Sequence, residues 1–212
     1  MKYTILGILI ACASVVQAQS FRFGASVAPA VNFWIVEGDN YLPADNKFGF
    51  QLGGELDYAI GETGRFAIAS GLRFTSVPGG FEQNPTSQSY AGKYWDFKTT
   101  TLDLPIMVRL RSNEMGKSVI FLQYGVTMGF TLSSSVVLND GKGGGEDYEY
   151  QSSNTSLTMG AGLEYNMNDN MTLMFTTFFQ NGVKNMVVYT KNDDNDSRYF
   201  PQQIGLRASV LF

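Results

Sequence analysis

The sequence predicts an all-β fold: an eight-stranded antiparallel up-and-down transmembrane β-barrel with short turns at one end and long loops at the other. Three observations predict it. Apolar residues recur at every second position in eight separate stretches, helical periodicity is absent from them, and short turns alternate with long polar connections. Composition agrees: 23 of the 212 residues are Gly and 14% are aromatic, both above ordinary usage.

The stretches follow in order. The first sets Phe21, Phe23, Ala25, Val27, Val31 and Phe33 against Arg22, Gly24, Ser26, Ala28, Ala30 and Asn32. The second opposes Phe48, Phe50, Leu52, Leu56, Tyr58 and Ile60 to Gly49, Gln51, Gly53, Glu55, Asp57 and Ala59. In the third, Phe66, Ile68, Leu72 and Phe74 face away from Ala67, Ala69, Gly71, Arg73 and Thr75. In the fourth, Leu102, Leu104, Ile106, Val108 and Leu110 alternate with Thr101, Asp103, Arg109 and Arg111. The fifth carries Ile120 through Leu132, the sixth Leu157 through Tyr165, the seventh Met171 through Phe179 and the eighth Ile204 through Phe212. Successive strand residues point to opposite faces, so each stretch is a strand with one apolar side. Eight such strands are enough to close a small barrel. Pro29 and Pro105 lie inside predicted strands, and each predicts a local bulge because proline cannot donate to the ladder.

The connections are unequal in a regular way. Gly61-Glu62-Thr63-Gly64, Asn113-Glu114-Met115-Gly116 and Asn168-Asp169-Asn170 carry turn chemistry. Between them lie long polar loops at 34–46, 76–97, 133–150 and 181–198. With the N-terminus at the periplasm, every short turn is periplasmic and every long loop extracellular, the asymmetry of an outer-membrane barrel.

Charge decides which face looks outward. The apolar face is nearly free of charge, whereas the other mixes small residues with Arg22, Glu55, Asp57, Arg73, Asp103, Arg109, Arg111, Glu164 and Arg207. The expected arrangement is an apolar band against lipid and a lumen of paired charges. Aromatics sort to match, with Phe33, Phe48, Phe74, Phe130 and Phe179 near the outer strand ends. Phe21, Tyr58, Phe66, Tyr165 and Phe212 fall near the inner ends, as two interfacial girdles require.

Residues 1–18 read as a secretory signal peptide, leaving 19–212 as the barrel domain. Lys2 supplies the positive start, Tyr3 to Val16 the apolar run and Val16-Gln17-Ala18 the small-residue cleavage pattern. Leu9-Ile10-Ala11-Cys12 offers an alternative, a lipoprotein box with Cys12 lipidated. The apolar run continues past Cys12, which argues for removal of the segment.

Leu102-Asp103-Leu104-Pro105-Ile106-Met107-Val108-Arg109-Leu110 resembles the apolar-acidic-apolar-Pro strand motif of the PorT-type outer-membrane β-barrel family of Bacteroidetes. Gly160-Ala161-Gly162-Leu163-Glu164-Tyr165 is similar to that family's Gly-rich strands. Ile204 to Phe212 resembles the terminal strand of many outer-membrane proteins, whose alternating apolar residues and final Phe are read by the barrel-insertion machinery. The resemblance spans 19–212. It implies a cell-envelope protein of the bacterial outer membrane with lipid and the insertion machinery as partners. It also implies an envelope-structural, interaction or secretion-assisting role, since the named PorT member is linked to protein secretion.

Composition excludes several activities. With no His, neither a Ser-His-Asp triad nor an imidazole metal site exists. Fifteen basic against 19 acidic residues, a net charge of −4, give no nucleic-acid-binding surface. Asp193-Asp194-Asn195-Asp196 lacks the Gly and bidentate Glu of a calcium loop, and Gly141-Lys142-Gly143-Gly144-Gly145 lacks phosphate-loop spacing. No cofactor or metal is expected. Glu55 and Asp57, two apart on one face, offer an acid/base pair and equally suit pairing with arginines of neighbouring strands. The expected function is therefore that of a monomeric, non-enzymatic barrel. An outer-membrane enzyme acting on lipid or polysaccharide, or a narrow pore, is the alternative. Recognition candidates sit in the loops: Phe81, Tyr90, Tyr94 and Trp95 in the second, Tyr148 and Tyr150 in the third. Trp95 and its neighbour Phe97 suit the outer girdle equally well.

Overall fold

Among the described residues every regular element is a strand. The computed structural model describes residues 21–37, 41–43, 45–61, 63–83, 94–138, 148–189 and 198–212, so the segment read as an export signal lies outside them. The strands are β1 (Phe21–Glu37), β2 (Tyr41–Pro43), β3 (Lys47–Ile60), β4 (Phe66–Gln83), β5 (Tyr94–Arg111) and β6 (Ser118–Leu138). They continue with β7 (Tyr148–Tyr150), β8 (Ser153–Asn168), β9 (Met171–Gly182), β10 (Val187–Tyr189) and β11 (Arg198–Leu211).

Eight long strands pair antiparallel in the order β1-β3-β4-β5-β6-β8-β9-β11, and β11 returns to β1 with Gly24 opposite Leu211 and Glu37 opposite Arg198. Closure leaves the barrel wall without an open edge. The minor strands lie at the long-loop end, where β2 pairs with the end of β4 and β7 pairs with β10.

The molecule is inside out relative to a water-soluble domain. Phe48 is 84% exposed and Tyr124 68%, whereas Arg109 and Arg207 are each 2% exposed. Around the short-turn end lie Phe21, Tyr58, Phe66, Tyr165 and Phe212, all exposed; at the other end Phe48, Phe74 and Phe130 are exposed too. Phe33 and Phe179 stack at the same level with centroids 6.3 Å apart.

Two expectations are corrected. The first is loop extent: β4 and β5 run on as paired strands to Gln83 and from Tyr94, and β6 reaches Leu138. Much of 76–97 and 133–138 is therefore barrel wall. Polar residues there do not break the strands, because a wall leaving the lipid band no longer needs an apolar outer face. Outward positions of β5 show this change, passing from Leu102 to Thr100, Lys98 and Asp96.

The second is bulging at the prolines. The β1–β11 ladder skips Ala28 and Pro29 but resumes in the same register, and Pro29 stays opposite Phe50 of β3. Pro105 likewise stays opposite Thr127 of β6, with the β4 ladder resuming unshifted at Arg73 and Asp103. A strand residue's N–H points to one neighbour only, so proline interrupts one ladder and leaves the other intact. At Pro105 the freed carbonyl accepts from Ser70 Oγ at 2.8 Å. Register shifts occur instead at Thr100/Thr101 and Asn166/Asn168.

Candidate functional site: the filled lumen and its two ends

Alternation delivers every second residue of each strand to the lumen, and strand pairing sets their heights. Near the short turns, Asp57 of β3 lies opposite Arg22 of β1. Asp57 accepts from the Arg22 guanidinium, with Nε at 3.1 Å, and from Arg111 of β5. Arg109 Nη1 is 3.4 Å from its other oxygen. Glu164 of β8 accepts from Arg111 Nε at 2.8 Å and Arg22 Nη2 at 3.0 Å. Two carboxylates thus hold three guanidiniums across the barrel.

A second tier sits above. Glu55 accepts from Arg73 Nη2 at 3.1 Å and lies 3.7 Å from Arg207 Nε. Arg207 Nη2 donates to Gln51 Oε1 at 2.6 Å, Gln51 to Gln203 at 2.5 Å and Gln203 to Asn32 at 2.6 Å. Arg109 donates twice to Gln123 Oε1, at 2.9 and 3.2 Å. Such cross-linking is what makes charge tolerable away from water, because an isolated buried ion is far costlier. Gln51 lies on the polar face already read for its strand, and Gln123 and Gln203 join it because their strand parity matches that of the arginines, the signal that finds them.

Two rings complete the packing. Phe178 lies 4.5 Å from the Arg207 guanidinium and Phe121 lies 4.9 Å from that of Arg109. Each needs a glycine beside it. A Cβ on Gly205 would stand 2.7 Å from Phe178 Cζ and 2.6 Å from the Pro29 carbonyl oxygen, and one on Gly162 would stand 2.6 Å from Phe121 Cζ. Gly205→Ala is therefore expected to destabilise the barrel by about 1–3 kcal/mol through overpacking, measured by urea unfolding in detergent micelles.

The structure brings these charged residues together in ion pairs, with Asp103 the exception. Asp103 faces the lumen but makes no ion pair among the described residues. Its carboxylate accepts from Thr75 Oγ1 at 2.6 Å and Thr101 Oγ1 at 2.7 Å. Arg73, its register partner, is bonded instead to Glu55.

The recognition candidates Phe81 and Trp95 are also corrected. They oppose each other across β4 and β5, are 1% and 8% exposed, and point into the lumen. They join Trp34, Phe97, Tyr199 and Met186 in an apolar cluster at the long-loop end. Phe97 meets Trp34 edge to face at 4.4 Å, Phe81 stacks on Trp95 at 5.3 Å and Phe81 lies 4.9 Å from Tyr199. Phe97 is likewise inside rather than in the girdle. Parity explains the result: Trp95 and Phe97 share the inward phase of Thr101 and Asp103, which continues because the strand does. Tyr94 is half-buried at the rim, its ring 5.4 Å from Lys47 Nζ, and Lys47 pairs with Asp96 at 2.6 Å. Tyr90 lies outside the described residues. Tyr148 and Tyr150 are placed as backbone in β7, and their side chains lie outside the described part.

Beside Asp103 and Asn154 is a void of about 10 Å3, no larger than one water requires. At the short-turn end the lumen opens into a cavity of about 210 Å3 lined by Arg22, Arg65, Arg111, Ser112, Glu114 and Glu164 among others. Among the described residues no cluster of His, Cys, Asp and Glu can hold a metal ion.

Comparison with known proteins agrees with this architecture. Residues 4–210 match the family model described as "Outer membrane protein beta-barrel domain". No curated protein matches the sequence. Among solved structures, Neisserial surface protein A is 12% identical with a TM-score of 0.51, covering 89% of this chain and 95% of that one. The outer membrane protein OprG from Pseudomonas aeruginosa is 10% identical with a TM-score of 0.49, covering 90% and 95%. At these identities the first likeness concerns the fold alone.

Proposed function

The chain belongs to the outer membrane protein β-barrel domain family and resides in the outer membrane, and from that premise we propose that it acts as a closed, non-enzymatic envelope barrel serving as a base for interaction at its extracellular end. The observation that carries this reading is the filled lumen. Two tiers of paired charge and an apolar plug of Trp34, Phe81, Trp95 and Phe97 follow one another along the axis. That arrangement supports a barrel that conducts neither ions nor solutes.

Strand length supports the interaction role. β5 has 18 residues and β6 has 21, whereas a tilted strand crosses a bilayer in about 9–11. Short turns anchor the periplasmic end, so the surplus projects outward as rigid hairpins. The acid/base alternative finds little support in the geometry, since Glu55 and Asp57 are both engaged by guanidiniums. The finer assignment, a PorT-type barrel assisting a secretion complex, rests on the strand motif at Leu102 to Leu110.

Conductance tests the closed lumen. Reconstituted into planar bilayers, the barrel is expected to add no current above the bare membrane, and porin-sized steps would refute the reading. Replacing 84–93 and 139–147 by short Gly-Ser linkers is expected to leave the barrel folded while abolishing capture of an envelope partner by the full chain.

A further inference from the structure

We infer that the periplasmic mouth of the lumen is a binding site for a small oxyanion of the phosphate class. Charge points there first. Among the described residues the lumen encloses the guanidiniums of Arg22, Arg73, Arg109, Arg111 and Arg207 and the carboxylates of Glu55, Asp57, Asp103 and Glu164, one cation in excess. An uncompensated charge surrounded by protein is costly and draws a counter-ion wherever one can enter. Farther along the lumen, the void beside Asp103 holds a single water at most.

The mouth offers both room and donors. Its cavity of about 210 Å3 is more than ten times the roughly 10–15 Å3 that a single water needs, ample for a tetrahedral oxyanion with part of its hydration. Arg22 and Arg111 line the inner side. Arg111 is held in place by Asp57, by Glu164 and by a bond from Nη1 to the Gly64 carbonyl at 3.2 Å. Arg22 retains 24% side-chain exposure, and its Nη1 reaches only Thr172 Oγ1, at 3.5 Å. Arg65 stands at the rim. It donates to Asn113 Oδ1 and has no ion pair among the described residues. The rim's Glu114 offsets one cation and leaves the surplus of the lumen in place. Planar guanidinium forks on different walls of one cavity are suited to phosphate oxygens. The Thr63 hydroxyl lines the same space and adds a donor, whereas that of Ser112 is already given to the Asn113 carbonyl at 2.8 Å.

The oxyanion could be free phosphate or the phosphate of a lipid headgroup at the periplasmic rim, and the test separates them. The full chain is folded in lauryl maltoside micelles, which contain no phosphate, and inorganic phosphate is titrated while the amide resonances of Gly64, Arg65 and Ser112 are followed. Saturable shifts confined to the mouth are expected, with no response to chloride at matched ionic strength. Arg65→Gln, outside the buried network and checked for heat-modifiable migration, is expected to weaken binding about tenfold through loss of one charge-assisted contact. Should that variant not fold, Arg65→Lys is expected to weaken binding to a smaller degree because the fork is lost. In a second arm the chain is placed in phosphatidylglycerol nanodiscs without free phosphate. Mouth shifts already present there identify the lipid headgroup as the source, and shifts appearing only on adding phosphate identify the free anion. Absence of saturation in both arms, or equal affinity in the variant and the parent, overturns the inference.

Discussion

Asp57→Asn is expected to lower the unfolding free energy of the barrel by about 3–5 kcal/mol, read by urea titration in detergent micelles. Asp57 is 2% exposed and is contacted by Arg22, Arg109 and Arg111, which reach it from β1 and β5. The amide preserves shape and removes the charge, so three guanidiniums would share Glu164 alone. Removing one partner of a buried pair leaves the other uncompensated, which costs more than the pair itself contributes. Pairing Asp57→Asn with Arg22→Gln is expected to recover part of the loss, because the second change removes a cation that the first strands. A loss below about 1 kcal/mol for Asp57→Asn would mean the cluster is solvated from the mouth like a surface ion pair.

Phe97→Ala is the second large effect, an expected loss of about 3–5 kcal/mol for emptying a buried aromatic site. Phe97 is 1% exposed and lies 4.4 Å from Trp34 and 5.5 Å from Phe81. Its removal is also expected to accelerate amide exchange in the outer parts of β4 and β5, which the plug ties to β1 and β11. A surface recognition residue behaves differently, since substitutions away from packed sites alter stability by no more than about 0.5 kcal/mol. Stability and exchange together therefore separate a plug from a contact surface at this position.

The same two residues show what was legible before the fold was known. Asp57 is legible because its neighbours Leu56 and Tyr58 mark an apolar face, and alternation assigns it the opposite face without further information. Phe97 is hidden because it follows a polar stretch that looks like a loop, although its parity matches that of Thr101 and Asp103. Hydropathy marks where a strand crosses lipid. It falls silent where the strand leaves the membrane and continues on backbone pairing alone, as Tyr94 to Thr100 does against β4 and β6.

By itself, the sequence determined the strand class, the eight membrane crossings, the side turned to lipid and the alternation of short turns with long connections. Each of these is a local property, readable from residue i to i+2 or from one turn. Only the tertiary structure decided which arginine meets which carboxylate, that Asp103 rests on two threonines and that the outer lumen is plugged by rings. Those contacts join residues such as Arg22 and Glu164, 142 positions apart, and Arg207 and Gln51, 156 apart. They depend on register and on the width across a closed barrel, which no local pattern encodes.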